Sequence, residues 1–135
     1  MRAKARVVFD TNVVVSAFLF PNSVPGRLLF QSNLRILPLV SASLVAEIHS
    51  VLRRPKIEKF VSKEQAQELL AAYLSRSEIV RLQVVIEACR DPRDNHILEL
   101  AVSGGADSIV TGDDDLLAIN PFQGIAIFRP ADFQI

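Results

Sequence analysis

One cysteine, one tyrosine, no tryptophan and no surplus of either charge characterise this sequence of 135 residues. The lone thiol, Cys89, cannot close a disulfide within the chain, which excludes a small secreted scaffold stapled by disulfides. Fifteen Lys+Arg balance fifteen Asp+Glu, so a globally basic nucleic-acid binder is excluded, although a local patch is not. With aromatics at 7%, base stacking is not advertised. No apolar run reaches the ~18 residues of a membrane span. The apolar stretch that follows Arg2, Lys4 and Arg6 is interrupted by Asp10, Thr11 and Asn12, and Pro21-Asn22-Ser23 follows instead of a cleavage site. The expectation is a soluble, cytoplasmic protein without a signal peptide. Nucleotide-binding glycine motifs are missing, and His49 and His96 are not in zinc spacing with Cys89. His96 is expected on a helix surface.

What is present is globular: 50% hydrophobic and 22% charged residues, in a length that suits one domain over 1–135. Short β-branched runs alternate with helical patterns. Arg6 to Phe9, Ile36 to Val40, Ile79 to Val85, Ser108 to Thr111 and Ile125 to Phe128 read as strands. Helices are expected from Val13 to Leu19 with Asn12 or Thr11 as cap, and from Gly26 to Ser32 with Pro25 in the first turn. Another runs from Ser41 or Ser43 to about Arg54, where Pro55 stops it. Ser62 and Gln65 form a capping box for the next. Asp91-Pro92 opens a helix to Ser103, and a short one spans Asp113 to Ile119. Such alternation predicts an α/β fold with a mostly parallel sheet. Ligands of such sheets bind beyond the carboxyl ends of the strands.

Acids collect at those ends. Asp10 closes the first strand, and Asp113, Asp114 and Asp115 follow the strand that ends at Thr111. Asp94 lies in the first turn of the preceding helix. Six of the eight aspartates fall between Asp91 and Asp115. Carboxylates that converge without cations repel one another, and a hard divalent cation such as Mg²⁺ or Mn²⁺ resolves the conflict. Glu47 sits at the edge of the apolar stripe of Leu44, Val45, Ile48, Val51 and Leu52, where an unpaired carboxylate is costly. Taken singly, Asp10, Asp94 and one of Asp113 to Asp115 also suit plain helix capping. Arg53, Arg54, Lys56, Lys59 and Lys63 fall within eleven residues. They read either as a solvated helix end or as contacts for phosphates.

Four segments together resemble a known family. Val8-Phe9-Asp10-Thr11-Asn12-Val13, Ser43 to Ile48, Asp91 to Ala101 and Gly105 to Asp113 are similar, in that order, to the acidic motifs of PIN-domain proteins. The resemblance implies a three-layer α/β/α sandwich around the sheet and a Mg²⁺- or Mn²⁺-dependent ribonuclease. It implies an RNA substrate, an antitoxin protein as possible partner, and a homodimer or higher oligomer. By motif, Asp10, Glu47, Asp94 and Asp113 are the catalytic and metal-binding acids, with Asp115 a rival or companion to Asp113. Asn12 and Thr111 become polar supports, and Arg53, Arg54 and Lys56 become candidate RNA contacts. The rival readings are a non-catalytic RNA- or antitoxin-binding module and a haloacid-dehalogenase-type phosphatase. The phosphatase needs an aspartate where Asn12 stands and a late lysine, but the last lysine is Lys63.

Overall fold

The computed structural model describes residues 4–31 and 35–134. Among these residues, five strands form one sheet: β1 (Ala5–Phe9), β2 (Ile36–Val40), β3 (Glu78–Ile79), β4 (Ser108–Val110) and β5 (Ala126–Phe128). Their order is β3-β2-β1-β4-β5 and every pairing is parallel. Among the described residues, seven helices surround the sheet: α1 (Thr11–Leu19), α2 (Val24–Gln31), α3 (Ala42–Leu52), α4 (Pro55–Glu58), α5 (Lys63–Ser75), α6 (Asn95–Ser103) and α7 (Asp114–Leu117). The result is the expected α/β/α sandwich. The expected end of α2 at Ser32 lies outside the described residues, as does Arg2.

A strand covered by helices on both faces needs apolar residues without alternation. Val7, Val8 and Phe9 satisfy this and are fully buried, as are Leu39, Val40, Ile109 and Val110. Leu44 and Ile48 of α3 and Leu98 and Leu100 of α6 join the same core. The strand order reverses at the centre, because β1 has β2 on one side and β4 on the other. Ligand crevices open at such a reversal, beyond the carboxyl ends of the two strands. Asp10 and Thr111 are the residues that follow those strands.

Local signals are met closely in several places. Ser41 caps α3 by accepting from the amide of Leu44 at 3.1 Å. The reciprocal bonds of Ser62 and Gln65, each 3.1 Å, start α5. Gly104 closes α6 and Gly105 follows at φ +60, a left-handed conformation that glycine adopts without a Cβ penalty. Three expectations shift. Asp10, not Asn12 or Thr11, caps α1. Pro55 stops α3 but also opens α4, since proline suits a first helical turn. Asp91-Pro92 opens a 3₁₀ turn, Pro92–Asp94, before α6 proper begins.

The largest correction concerns the expected strand from Ile79 to Val85. Only Glu78 and Ile79 pair with the sheet. Beyond Val80 the chain runs extended along α6, and helix side chains take its amides. Ser103 accepts from Gln83 at 2.8 Å, Glu99 from Ile86 at 3.0 Å, and Asn95 from Ala88 at 3.2 Å and Cys89 at 2.9 Å. Asn95, Glu99 and Ser103 are spaced four residues apart, so they share one helix face. Backbone donors that the sheet does not satisfy are thus satisfied by a helix.

Among the described residues no single helix is long and apolar enough to cross a membrane. Asn95→Ala removes the acceptor for two of the clasped amides. Urea unfolding should show a loss of about 1–2 kcal/mol. An unchanged midpoint would mean that the clasp contributes nothing.

Candidate functional site

Asp10 is fixed by what surrounds it. Its amide continues the β1–β4 ladder, donating to Val110 O at 3.0 Å. Its Oδ1 accepts from the Thr11 amide at 2.8 Å and its Oδ2 from the Thr111 hydroxyl at 2.7 Å. The side chain is therefore both a helix cap and a member of the acidic group. Only 8% of the residue is exposed. Burial raises its pKa above the ordinary carboxylate value, against the lowering effect of those two hydrogen bonds, and the charges of Glu47 and Asp113 add to the rise.

Thr111 is completely buried. Its hydroxyl donates to Asp10 and accepts from the Asp113 amide at 3.0 Å, so one side chain ties together the groups beyond β1 and β4. Asp113 then caps α7 by accepting from the Asp115 amide at 2.8 Å. One carboxylate oxygen from each of Asp94, Asp113 and Asp115 lies within 4.8 Å of the others. Asp113 and Asp115 thus both face Asp94. Arg90 offsets part of this charge through a 3.0 Å ion pair with Asp115. The pKa of Asp94 is pushed up to about 7, first by burial, then by its contact with Asp113 and by the neighbouring charges of Asp113, Asp10 and Asp91. A set of hard oxygen donors at this spacing suits a divalent cation such as Mg²⁺ or Mn²⁺.

Glu47 joins from α3. The Thr11 hydroxyl donates to its Oε1, and His96 Nε2 lies 3.1 Å from its Oε2. The partner that the sequence demands for this carboxylate is therefore found twice over. Neither partner is visible in the sequence. Thr11 reads there only as a possible cap, and His96 as a surface residue, yet the His96 side chain is only 17% exposed. Its contact lies 49 residues away in sequence, beyond the reach of any local pattern. Asn12 is exposed and makes no side-chain hydrogen bond among the described residues.

The basic residues stand elsewhere. Arg53, Arg54 and Lys56 are exposed where α3 gives way to α4. Because α3 starts at the carboxyl edge and leads away from it, Arg53 lies ~9 Å further along the helix than Glu47. Arg93 is engaged by Asp91 at 2.9 Å. Cys89 is half-buried, and burial lifts its thiol to about 11, which leaves it unreactive near neutrality.

A family model described as PIN domain matches residues 6–115. The uncharacterised protein MJ1680 of Methanocaldococcus jannaschii is 34% identical over 122 residues, covering 87% of this chain and 77% of that protein. Among solved structures, VapBC2 from Rickettsia felis, bound to a DNA fragment from their promoter, aligns with TM-score 0.61 at 19% identity. The alignment covers 90% of this chain and 96% of that one. FitAcB from Neisseria gonorrhoeae aligns with TM-score 0.57 at 18% identity, over 94% of this chain and 99% of the other.

Asp94 and Asp10 bind protons more tightly in the fold than in the open chain. Without a cation, their contribution to stability is greatest below the ordinary carboxylate pKa of about 4. It is lost as pH rises through about 7, the folded value for Asp94. Thermal stability of EDTA-treated protein should therefore fall between about pH 4 and 7, and Asp94→Asn should flatten much of that fall. Parallel curves for the two proteins would show that Asp94 carries no such strain.

Proposed function

The chain belongs to the PIN-domain family, and on that footing we propose that it is a metal-dependent endoribonuclease, the toxin member of a type II toxin–antitoxin pair acting in the cytoplasm. The observation that carries this reading is the convergence of Asp94, Asp113 and Asp115 at the β1–β4 reversal, beside Asp10 and Glu47.

The division of labour follows from the hydrogen bonds. Asp10 and Glu47 are oriented by donors, so each presents its carboxylate in one direction before any ligand arrives. Asp94 has no such support and carries the cost of its burial and of its acidic neighbours. Asp10, Glu47, Asp94 and Asp113 would hold Mg²⁺ or Mn²⁺, which when bound lowers the pKa of a water and offsets charge on the phosphate. Asp113 is favoured over Asp115 as the fourth acid because its amide is anchored on Thr111, whereas Asp115 is the partner of Arg90. Thr111 and Asn12 are supports in this reading, the first through its two hydrogen bonds and the second by motif alone.

An RNA strand would cross the carboxyl edge. Arg53, Arg54 and Lys56 would take phosphates further along, since none of the three has an ion-pair partner among the described residues. The VapBC2 neighbour was captured as an assembly on promoter DNA. Together with the many toxins in the PIN family, this supports an antitoxin as partner. Assembly as a homodimer belongs to the same reading.

Purified protein with Mn²⁺ or Mg²⁺ should cut RNA from a mixed panel. Asp10→Asn or EDTA should reduce the rate about a hundredfold or more, some 3 kcal/mol of transition-state stabilisation. Cutting that survives both treatments would overturn the mechanism. Replacing Arg53, Arg54 and Lys56 with alanine should weaken RNA binding and lower the slope of log affinity against log salt by about 0.7 for each phosphate left without its cation. An unchanged slope would remove those three residues from the RNA path.

A further inference from the structure

A cleft of about 540 Å³ opens beside the acids, between the first turn of α3 and the extended segment that α6 holds. Ser43, Val85, Glu87, Arg93, His96 and Glu99 are among the residues that line it. The cleft adjoins the acidic group directly, because its His96 touches Glu47 and its Arg93 precedes Asp94. Its volume falls in the usual range of small-ligand sites, roughly 300–1,000 Å³.

The lining says which part of a nucleotide would fit. Two carboxylates, Glu87 and Glu99, line the cleft with a single arginine, Arg93, and that arginine is already paired with Asp91. A phosphate is disfavoured there. Val85 offers apolar surface and is 86% exposed, and the unburied part of the His96 ring lines the same cleft. Unpaired bases of RNA are held by such surfaces and read along their polar edges. Glu99 is occupied by the Ile86 amide. Glu87 is exposed and, among the described residues, has no ion pair. An ionised carboxylate only accepts hydrogen bonds, so the edge it meets must donate. Guanine offers two adjacent donors, its ring N–H and its amino group. Adenine and cytosine offer one amino group each. Uracil places its one ring N–H between two carbonyl oxygens, which a carboxylate repels.

We propose that this cleft is a nucleobase subsite, which takes the base next to the phosphate being cut, and that Glu87 selects bases bearing an amino group, guanine first. The proposal rests on the ribonuclease reading above.

The test is to cut a randomised single-stranded RNA library with the full-length protein and Mn²⁺ and to map the cut sites by sequencing. One position flanking the cut should favour guanosine over uridine by about tenfold, the scale of one good carboxylate–base pairing. Glu87→Gln should abolish that preference by lowering kcat/KM at guanosine-flanked sites up to about tenfold, while uridine-flanked sites, relieved of the repelling carboxylate, are cut at least as fast as by wild type. Val85→Asp changes an exposed residue, so folding is spared. It should raise KM about tenfold with little change in kcat. Wild-type cutting with no base preference at either flank, or a preference that Glu87→Gln leaves intact, would overturn the subsite while the nuclease reading stands. An absence of metal-dependent cutting in wild type would overturn both.

Discussion

The parallel register in which Phe9 faces Val110 decides where everything polar in this molecule can stand. Once those two buried residues are paired, the next residue on each strand is fixed, and Asp10 comes beside Thr111. The Thr111 hydroxyl then donates its one proton to the Asp10 carboxylate and accepts from the Asp113 amide. A shift of one residue would turn Val8 and Phe9 to the opposite faces and break this link at the same time. The apolar core and the acidic group are therefore not separate achievements of the sequence. They follow from a single choice of pairing.

Much of this is legible in the sequence because it is local. A β-branched run that ends in aspartate marks both a buried parallel strand and the edge where its ligand would sit. Asp10 and Asp113 can be singled out by their place at strand ends, whereas Asp94, at a helix start, is singled out only by the family motif; all three lie at that edge. Helix starts at Ser41, Ser62 and Asp91 are legible for the same reason, since a cap and the amide it binds are neighbours in sequence. What escapes is nonlocal. Val84, Val85 and Ile86 have the composition of a strand, but α6 offers their segment better partners than the sheet does. The contacts of Glu47 with Thr11 and His96 join three different elements, and no spacing announces them. Capping and site membership also prove compatible. Asp10 and Asp113 each cap a helix with one carboxylate oxygen, and in Asp10 the other accepts from the Thr111 hydroxyl.

The acids are held in two distinct ways, and the contrast is informative. Asp10 and Glu47 are supplied with donors, which fix the direction each carboxylate faces, although for Asp10 burial still outweighs the two hydrogen bonds. Asp94 is half-buried among other carboxylates, and its proton affinity is raised first by that burial and then by the neighbouring acids. Local inconsistency of this kind, inside a chain whose caps and strands otherwise agree, concentrates at functional sites. The core tolerates it because the strain sits at the rim. Leu98 and Leu100, a few residues along the same helix, are fully buried and packed in the usual way.

The segment from Gln83 to Cys89 has an architecture unlike that of the strands. A strand inside a sheet cannot gain or lose one residue without turning every later side chain over. A stretch hung from three side chains of a helix is under no such rule. Its length and residues can change between the points of attachment while β1, β2 and β4 keep their register and the acids keep their places. Within one scaffold, then, the part that would hold the cation is rigidly inherited and the wall beside it is free to diversify. Descendants of this chain could part company in what they recognise long before they differ in what they do.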